Sequence, residues 1–303
     1  IVIIHTNDTH GRDAEDAENS VFGMAAAAQL KKDYEKAGAD VLLLSAGDDI
    51  QGTALVNLTQ GETAISFMNA AGYDAMTTGN HEFDWGYDNL SKLAGKANFP
   101  VLAANVLKAD GQTAFTANKV LTLQDGRKVG VFGLATPETA TKAHPDKVKG
   151  LTFLAGEELY ACAQKQVDEL RAEGCELVIA LGHLGVDGES APNRSTDVLK
   201  HVKGIDLFVD GHSHTEIDGE LVNDTLLVST GEYMHNLGVV IYDGNAMHAS
   251  LVKYGTYTGR DTSVASLVQS AQKSADRTLS QVIAKTLVDL NGERDPGVRT
   301  EET

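Results

Sequence analysis

Short, nearly unbroken aliphatic runs alternate along the chain with longer stretches in which apolar residues recur every three or four positions. The runs are Ile1–Asp8, Val41–Asp48, Ala75–Asn80, Val101–Val106, Leu177–His183 and Leu207–His212. Continuous aliphatic character over so short a length predicts strands covered on both faces. The intervening stretches 20–37, 62–71 and 157–173 predict helices. Each is followed directly by a glycine (Gly38, Gly72, Gly174), the expected stop at a helix C-terminus. Val120–Asp125 and Lys128–Leu134 flank Gly126-Arg127 and predict a hairpin. Leu226–Thr230, Leu237–Tyr242 and Ala249–Tyr254 predict further antiparallel strands, the last two joined by a turn at Asp243-Gly244-Asn245.

This pattern describes a mixed α/β domain over residues 1–257. Residues 258–278 then predict a connecting helix, with Val264, Leu267, Val268 and Ala271 on one face. The Gly/Asp/Pro-rich stretch 279–303 is too short to fold alone and reads as the start of a second domain.

Bulk properties narrow the chemistry. Hydrophobic residues make up 42% of 303 positions, enough for a substantial core. A net charge of −18 repels phosphate backbones and anionic lipids, so neither nucleic acid nor a membrane is an expected partner. An anionic substrate would need local positive charge, which metal ions supply. Cys162 and Cys175 are too few for a disulfide scaffold or a cysteine zinc site, and read as two small packed residues that could pair. No apolar run reaches the length of a membrane span. The chain opens on a strand without an initiator Met, read as a processed start.

The candidate chemistry sits just beyond the strand ends. Asp8 and His10 lie in NDTHG, Asp48 in SAGD, Asn80 in TGNHEFD, His183 in LGHLG, and His212 and His214 in DGHSHT. Seven nitrogen and oxygen donors suit two divalent ions, zinc or manganese, better than one. Asp-x-His alone is as compatible with a surface turn, and Asp48 alone with a helix N-cap. As a carboxylate, however, Asp48 can bridge two cations. His81 points away from Asn80 because successive side chains diverge. If its turn is helical, Asp84 can accept a hydrogen bond from one ring nitrogen and aim the other at substrate. His212 and His214 share a side if their segment is extended, which would let them serve two neighbouring ions. A loop role for His214 stays open. His5 reads as a core or rim residue. His144, His201, His235 and His248 fall outside the site. Phosphate-binding loops, dinucleotide fingerprints and serine elbows have no support in the sequence.

In this order the motifs HTNDTHGR (5–12), SAGDDIQG (45–52), TTGNHEFDWG (77–86), ANV (104–106), GLATPET (133–139), GHLG (182–185) and DGHSHT (210–215) resemble the calcineurin-like metallophosphoesterases. The likeness is greatest to the catalytic domain of the 5′-nucleotidase / UDP-sugar hydrolase family. The resemblance implies a four-layer α/β/β/α sandwich of two mixed sheets. It also implies two metal ions on Asp8, His10, Asp48, Asn80, His183, His212 and His214, with Asp48 bridging, and a catalytic dyad of His81 and Asp84. Asn80 and His81 would meet the substrate phosphate. The implied reaction is hydrolysis of nucleoside 5′-monophosphates, with UDP-sugar hydrolysis as a second activity. A missing C-terminal nucleotide-binding domain and a periplasmic or secreted setting are implied too. A 2′,3′-cyclic phosphodiesterase with 3′-nucleotidase activity, a thiosulfohydrolase and a silent binding module share the same expected core.

Overall fold

A computed structural model describes residues 1–287 together with Asn291. In chain order, β1 (Val2–Thr6), α1 (Met24–Lys36), β2 (Val41–Ser45), α2 (Ala54–Asn57), α3 (Glu62–Ala71), β3 (Ala75–Thr77), α4 (Tyr87–Ala94) and β4 (Val101–Leu102) build the first half. Next come β5 (Val106–Lys108), β6 (Asn118–Thr122), β7 (Lys128–Ala135), α5 (Thr139–Lys142), β8 (Leu151–Phe153) and α6 (Glu157–Ala172). The rest is β9 (Leu177–His183), α7 (Ser195–His201), β10 (Leu207–Val209), β11 (Glu216–Val222), β12 (Thr225–Thr230), β13 (Asn236–Tyr242), β14 (Met247–Lys253) and α8 (Thr262–Leu279).

Two mixed sheets carry the fold. One is ordered β14-β13-β1-β2-β3-β4 and the other β11-β12-β10-β9-β7-β6, with β5 and β8 forming a separate pair. The period of two splits each aliphatic run between two faces. In β1 and β2, Ile3, Leu42 and Leu44 join Val129, Val131, Leu177, Ile179 and Leu181 in the layer between the sheets. Ile4 and Leu43 face the other way, into a core shared with α1, α3 and α8. In β7 and β9, Phe132, Val178 and Ala180 face α6 and α7. The result is the expected four-layer α/β/β/α sandwich.

Several local expectations needed revision. The run Val101–Val106 divides into β4 and β5, because Ala103 and Ala104 turn to bond Thr116 and Gly133. Residues Thr225–Thr230 do not neighbour β13 in a ladder. They pair parallel with β10 and antiparallel with β11 in the second sheet. The connecting helix starts at Thr262 rather than 258 because Asp261 caps it, accepting the backbone N–H of Ser263 at 3.0 Å and Val264 at 2.9 Å. Cys162 and Cys175, in contrast, are both free, in keeping with their reading as small packed residues. Most of the stretch 279–303, expected to open a second domain, lies outside the described residues.

Candidate metal centre

The donors converge because parallel strands of both sheets end on the same side of the sandwich. Asp8, Asp48 and Asn80 follow β1, β2 and β3, while His183 ends β9 and His212 and His214 follow β10. The chain must turn sharply at each tip, and Asp8, His10, Asp48, His212 and His214 all adopt positive φ, between 47° and 82°. Such backbone costs on the order of 1 kcal/mol per residue and persists only where neighbours over-determine it. They do so here. The N–H of Asp8 donates to the Gly47 carbonyl (2.9 Å), that of His10 to Asp48 (2.9 Å), and that of Tyr233 to Asp8 (2.8 Å). The segment carrying His212 and His214 is therefore not extended as expected, and the two rings diverge. His214 turns to Asp8 and His10, and His212 to His183.

Three sets of donors lie within 4.8 Å of one another: Asp8, His10 and His214; His10, Asp48 and His81; and Asp8, Asp48 and His183. The most telling is the last. His183 is fully buried, and its Nδ1 lies 2.7 Å from the Ala46 carbonyl, to which it donates. Its Nε2 then faces Asp48 Oδ2 at 3.1 Å and Asp8 Oδ1 at 3.9 Å. Asn80 Oδ1 is buried and unpartnered. Acceptors gathered so closely require a cation among them. Burial pulls the His183 pKa down, but the Asp48 and Asp8 carboxylates push it up to about 10, so a proton answers the same demand. Asp48 is held well below the usual carboxylate range, despite burial, by His183, His81 and His10. Gly79 is required beside it, since a Cβ there would meet Asp48 Oδ1 at 2.2 Å.

Each outer histidine is gripped from behind by an oxygen. The turn at His81–Phe83 is a 3₁₀ helix and brings His81 Nδ1 to 2.8 Å from Asp84 Oδ2, as expected. Burial alone would lower the His81 pKa. The Asp84 hydrogen bond and the Asp48 charge raise it to about 9, so the ring is cationic at neutral pH. His212 Nε2 lies 2.9 Å from Glu138, and His214 Nδ1 2.5 Å from Glu232. Neither glutamate was found from sequence, although Glu138 sits in GLATPET and Glu232 directly follows the glycine after β12. Such partners fix tautomer and ring orientation. His212 belongs to none of the three close sets, and its Nδ1 is the nitrogen left for a ligand.

A third missed residue braces the floor. Glu82 is fully buried. Its Oε2 accepts the N–H of Asp48 (2.8 Å) and Gly79 (2.6 Å), and its Oε1 that of Asp49 (2.8 Å). It thereby clamps the Asp48 loop to the Asn80 loop. A cavity of about 510 Å³ opens above, lined by His10, Asp48, Asn80, His81, His212 and His214, with Arg12, Lys142 and Tyr233 among its walls.

The profile of the calcineurin-like phosphoesterases matches residues 1–216, and the chain belongs to that family. Its relatives narrow the branch. Over 96% of the chain it is 31% identical to bovine (Bos taurus) 5′-nucleotidase, covering 56% of that protein. Over 72% of the chain it is 37% identical to the 5′-nucleotidase of Vibrio cholerae, covering 40%. The chain thus spans about half the length of the curated relatives it matches. Among solved structures, a calcineurin-like phosphoesterase from Bacillus subtilis superposes with a TM-score of 0.80 at 26% identity, covering 93% of this chain and 99% of that one. The 5′-nucleotidase precursor of Thermus thermophilus gives 0.76 at 28%, covering 97% and 62%.

Proposed function

We propose that this chain is the catalytic part of a metal-dependent 5′-nucleotidase that releases phosphate from nucleoside 5′-monophosphates. The observation that carries the reading is the placement of His81, its Nδ1 held by Asp84, at the edge of a cavity whose floor gathers unpartnered acceptors. Asp8, Asp48, Asn80, His10, His183, His212 and His214 would hold two divalent ions, zinc or manganese, with Asp48 common to both. Ions there supply Lewis acidity and lower the pKa of water.

The remaining work falls to the chain. The His81 imidazolium meets negative charge developing on the phosphoryl oxygens and passes its proton from Nε2 to the departing ribose oxygen. Asp84 keeps Nδ1 engaged, so Nε2 is the nitrogen presented. Glu138 and Glu232 hold the imidazoles of His212 and His214 in place. The bovine, Vibrio and snake-venom relatives named 5′-nucleotidases support the substrate class, and the snake-venom relative an exported, periplasmic or secreted, setting. Their greater length supports a catalytic domain at 1–257, a connecting helix and a further nucleotide-binding domain as partner. Nucleic acid and membrane have no place in this reading. Among the described residues no helix is long and apolar enough to cross a membrane.

Phosphate release from AMP, assayed with zinc and with manganese, tests the proposal. His81→Ala is expected to lower kcat by about 10²- to 10⁴-fold with metal content intact. Near-normal turnover of that variant would refute the role given to His81. Faster cleavage of a cyclic nucleotide or a thiosulfate ester than of AMP would refute the substrate class.

A further inference from the structure

Arg12 stands two residues past the ligand His10, and the site chemistry above makes no use of it. Its backbone N–H closes a turn on the Thr9 carbonyl at 2.9 Å. The guanidinium lies over the Tyr233 ring, 4.8 Å from its centre. That ring is itself held. Tyr233 has φ of 55°, with its N–H bonded to Asp8, and it meets the rings of His10 and His214 edge-on at 5.6 and 5.8 Å. Arg12 is thus one aromatic ring removed from the donor cluster and lines the same cavity.

The cavity's other permanent cation among the described residues is Lys142, and it is committed, with Nζ 2.5 Å from Glu138. Among the described residues Arg12 makes no side-chain hydrogen bond or ion pair, and Asp16 and Tyr233 feel its charge. In a chain of charge −18, a guanidinium left unpaired at the wall of the cavity over the donor cluster is available to an anionic ligand. Stacking on Tyr233 orients the planar fork in advance, so little freedom is lost when its N–H groups meet two oxygens.

We propose that Arg12, seated on Tyr233, is a subsite for a second anionic group of the substrate, the phosphate next to the one being cleaved. It would favour substrates whose charge continues past the reacting phosphoryl group, the diphosphate class. The inference rests on the phosphoesterase reading of the site but is tested by binding, which needs no turnover.

Inorganic phosphate and pyrophosphate would be titrated calorimetrically into the metal-loaded chain and its Arg12→Gln and Arg12→Lys variants. The expected result is a pyrophosphate-to-phosphate affinity ratio lowered by about tenfold or more in Arg12→Gln, as for losing a bidentate charge-assisted contact. Arg12→Lys, which keeps the charge but not the fork, should fall between. Equal weakening of both anions, or no change in the ratio, would overturn the proposal. Should the parent bind pyrophosphate in this way yet release no phosphate from AMP, the nucleotidase reading fails and the subsite stands.

Discussion

Replacing Glu82 by glutamine tests whether the floor of the site is held by a buried carboxylate. In the parent each oxygen faces donors: Asp48 and Gly79 on Oε2, and Asp49, with Ile50 more distant at 3.4 Å, on Oε1. Glutamine has the same shape but offers one oxygen and one NH₂. Whichever way the amide turns, an N–H donor meets a backbone N–H, and at least one buried donor is orphaned at about 1–3 kcal/mol. The hydrogen bonds that survive lose their charge assistance, about 1 kcal/mol each. Removing the carboxylate also relieves a real cost, since burial and the Asp48 charge push the Glu82 pKa up to about 7. The net expectation is a loss of about 3 kcal/mol, or roughly 6–12 °C in Tm for a domain of this size. Scanning calorimetry and urea unfolding of the chelator-treated proteins would measure it. Metal stoichiometry should fall in parallel, since Asp48 and Asn80 lose their common brace. Stability within about 0.5 kcal/mol of the parent, with full metal binding, would show that Glu82 holds nothing.

Three further outcomes follow from the same geometry. Glu138→Gln should weaken one of the two metal ions by about 10- to 100-fold with the other little changed, read by chelator competition; equal affinities would mean that Glu138 does not orient His212. His5 is buried against Gly238, and burial lowers its pKa from 6.5 to about 3. The unfolded chain therefore takes up a proton below pH 6.5 that the folded one refuses, and stability falls with acidity by about 2 kcal/mol between pH 6.5 and 5; His5→Phe should remove that slope in pH-dependent urea unfolding. Metal loading near neutral pH should release protons, because His183 holds one against the Asp48 and Asp8 carboxylates that an ion would take over. Calorimetry in buffers of different ionisation enthalpy would count them, and a zero count would contradict the charge balance described.

The strand tips were legible in sequence because a buried parallel strand is a plain aliphatic run and its end is marked by glycine. The His81–Asp84 contact was legible because it spans one local turn. Glu138 and Glu232 were not, since each meets its histidine through tertiary folding and nothing local separates them from the other acidic side chains, 43 in all. The role of Glu82 appears only when two loops meet. Strand β11 escaped notice because EIDGELV mixes charges and a glycine on an exposed edge and carries a bulge. The extended course expected for residues 212–214 failed because left-handed turns leave no trace in hydrophobic periodicity.

Both sheets contribute donors to the site. The oxygens Asp8, Asp48 and Asn80 descend from the first, and the late imidazoles His183, His212 and His214 from the second. Two of the three close donor sets, Asp8 with His10 and His214 and Asp8 and Asp48 with His183, draw on both sheets. Ions seated in the middle would therefore bolt the sandwich together across its seam, and stripping them would be felt as slippage of one whole layer over another rather than as slackening of a single loop.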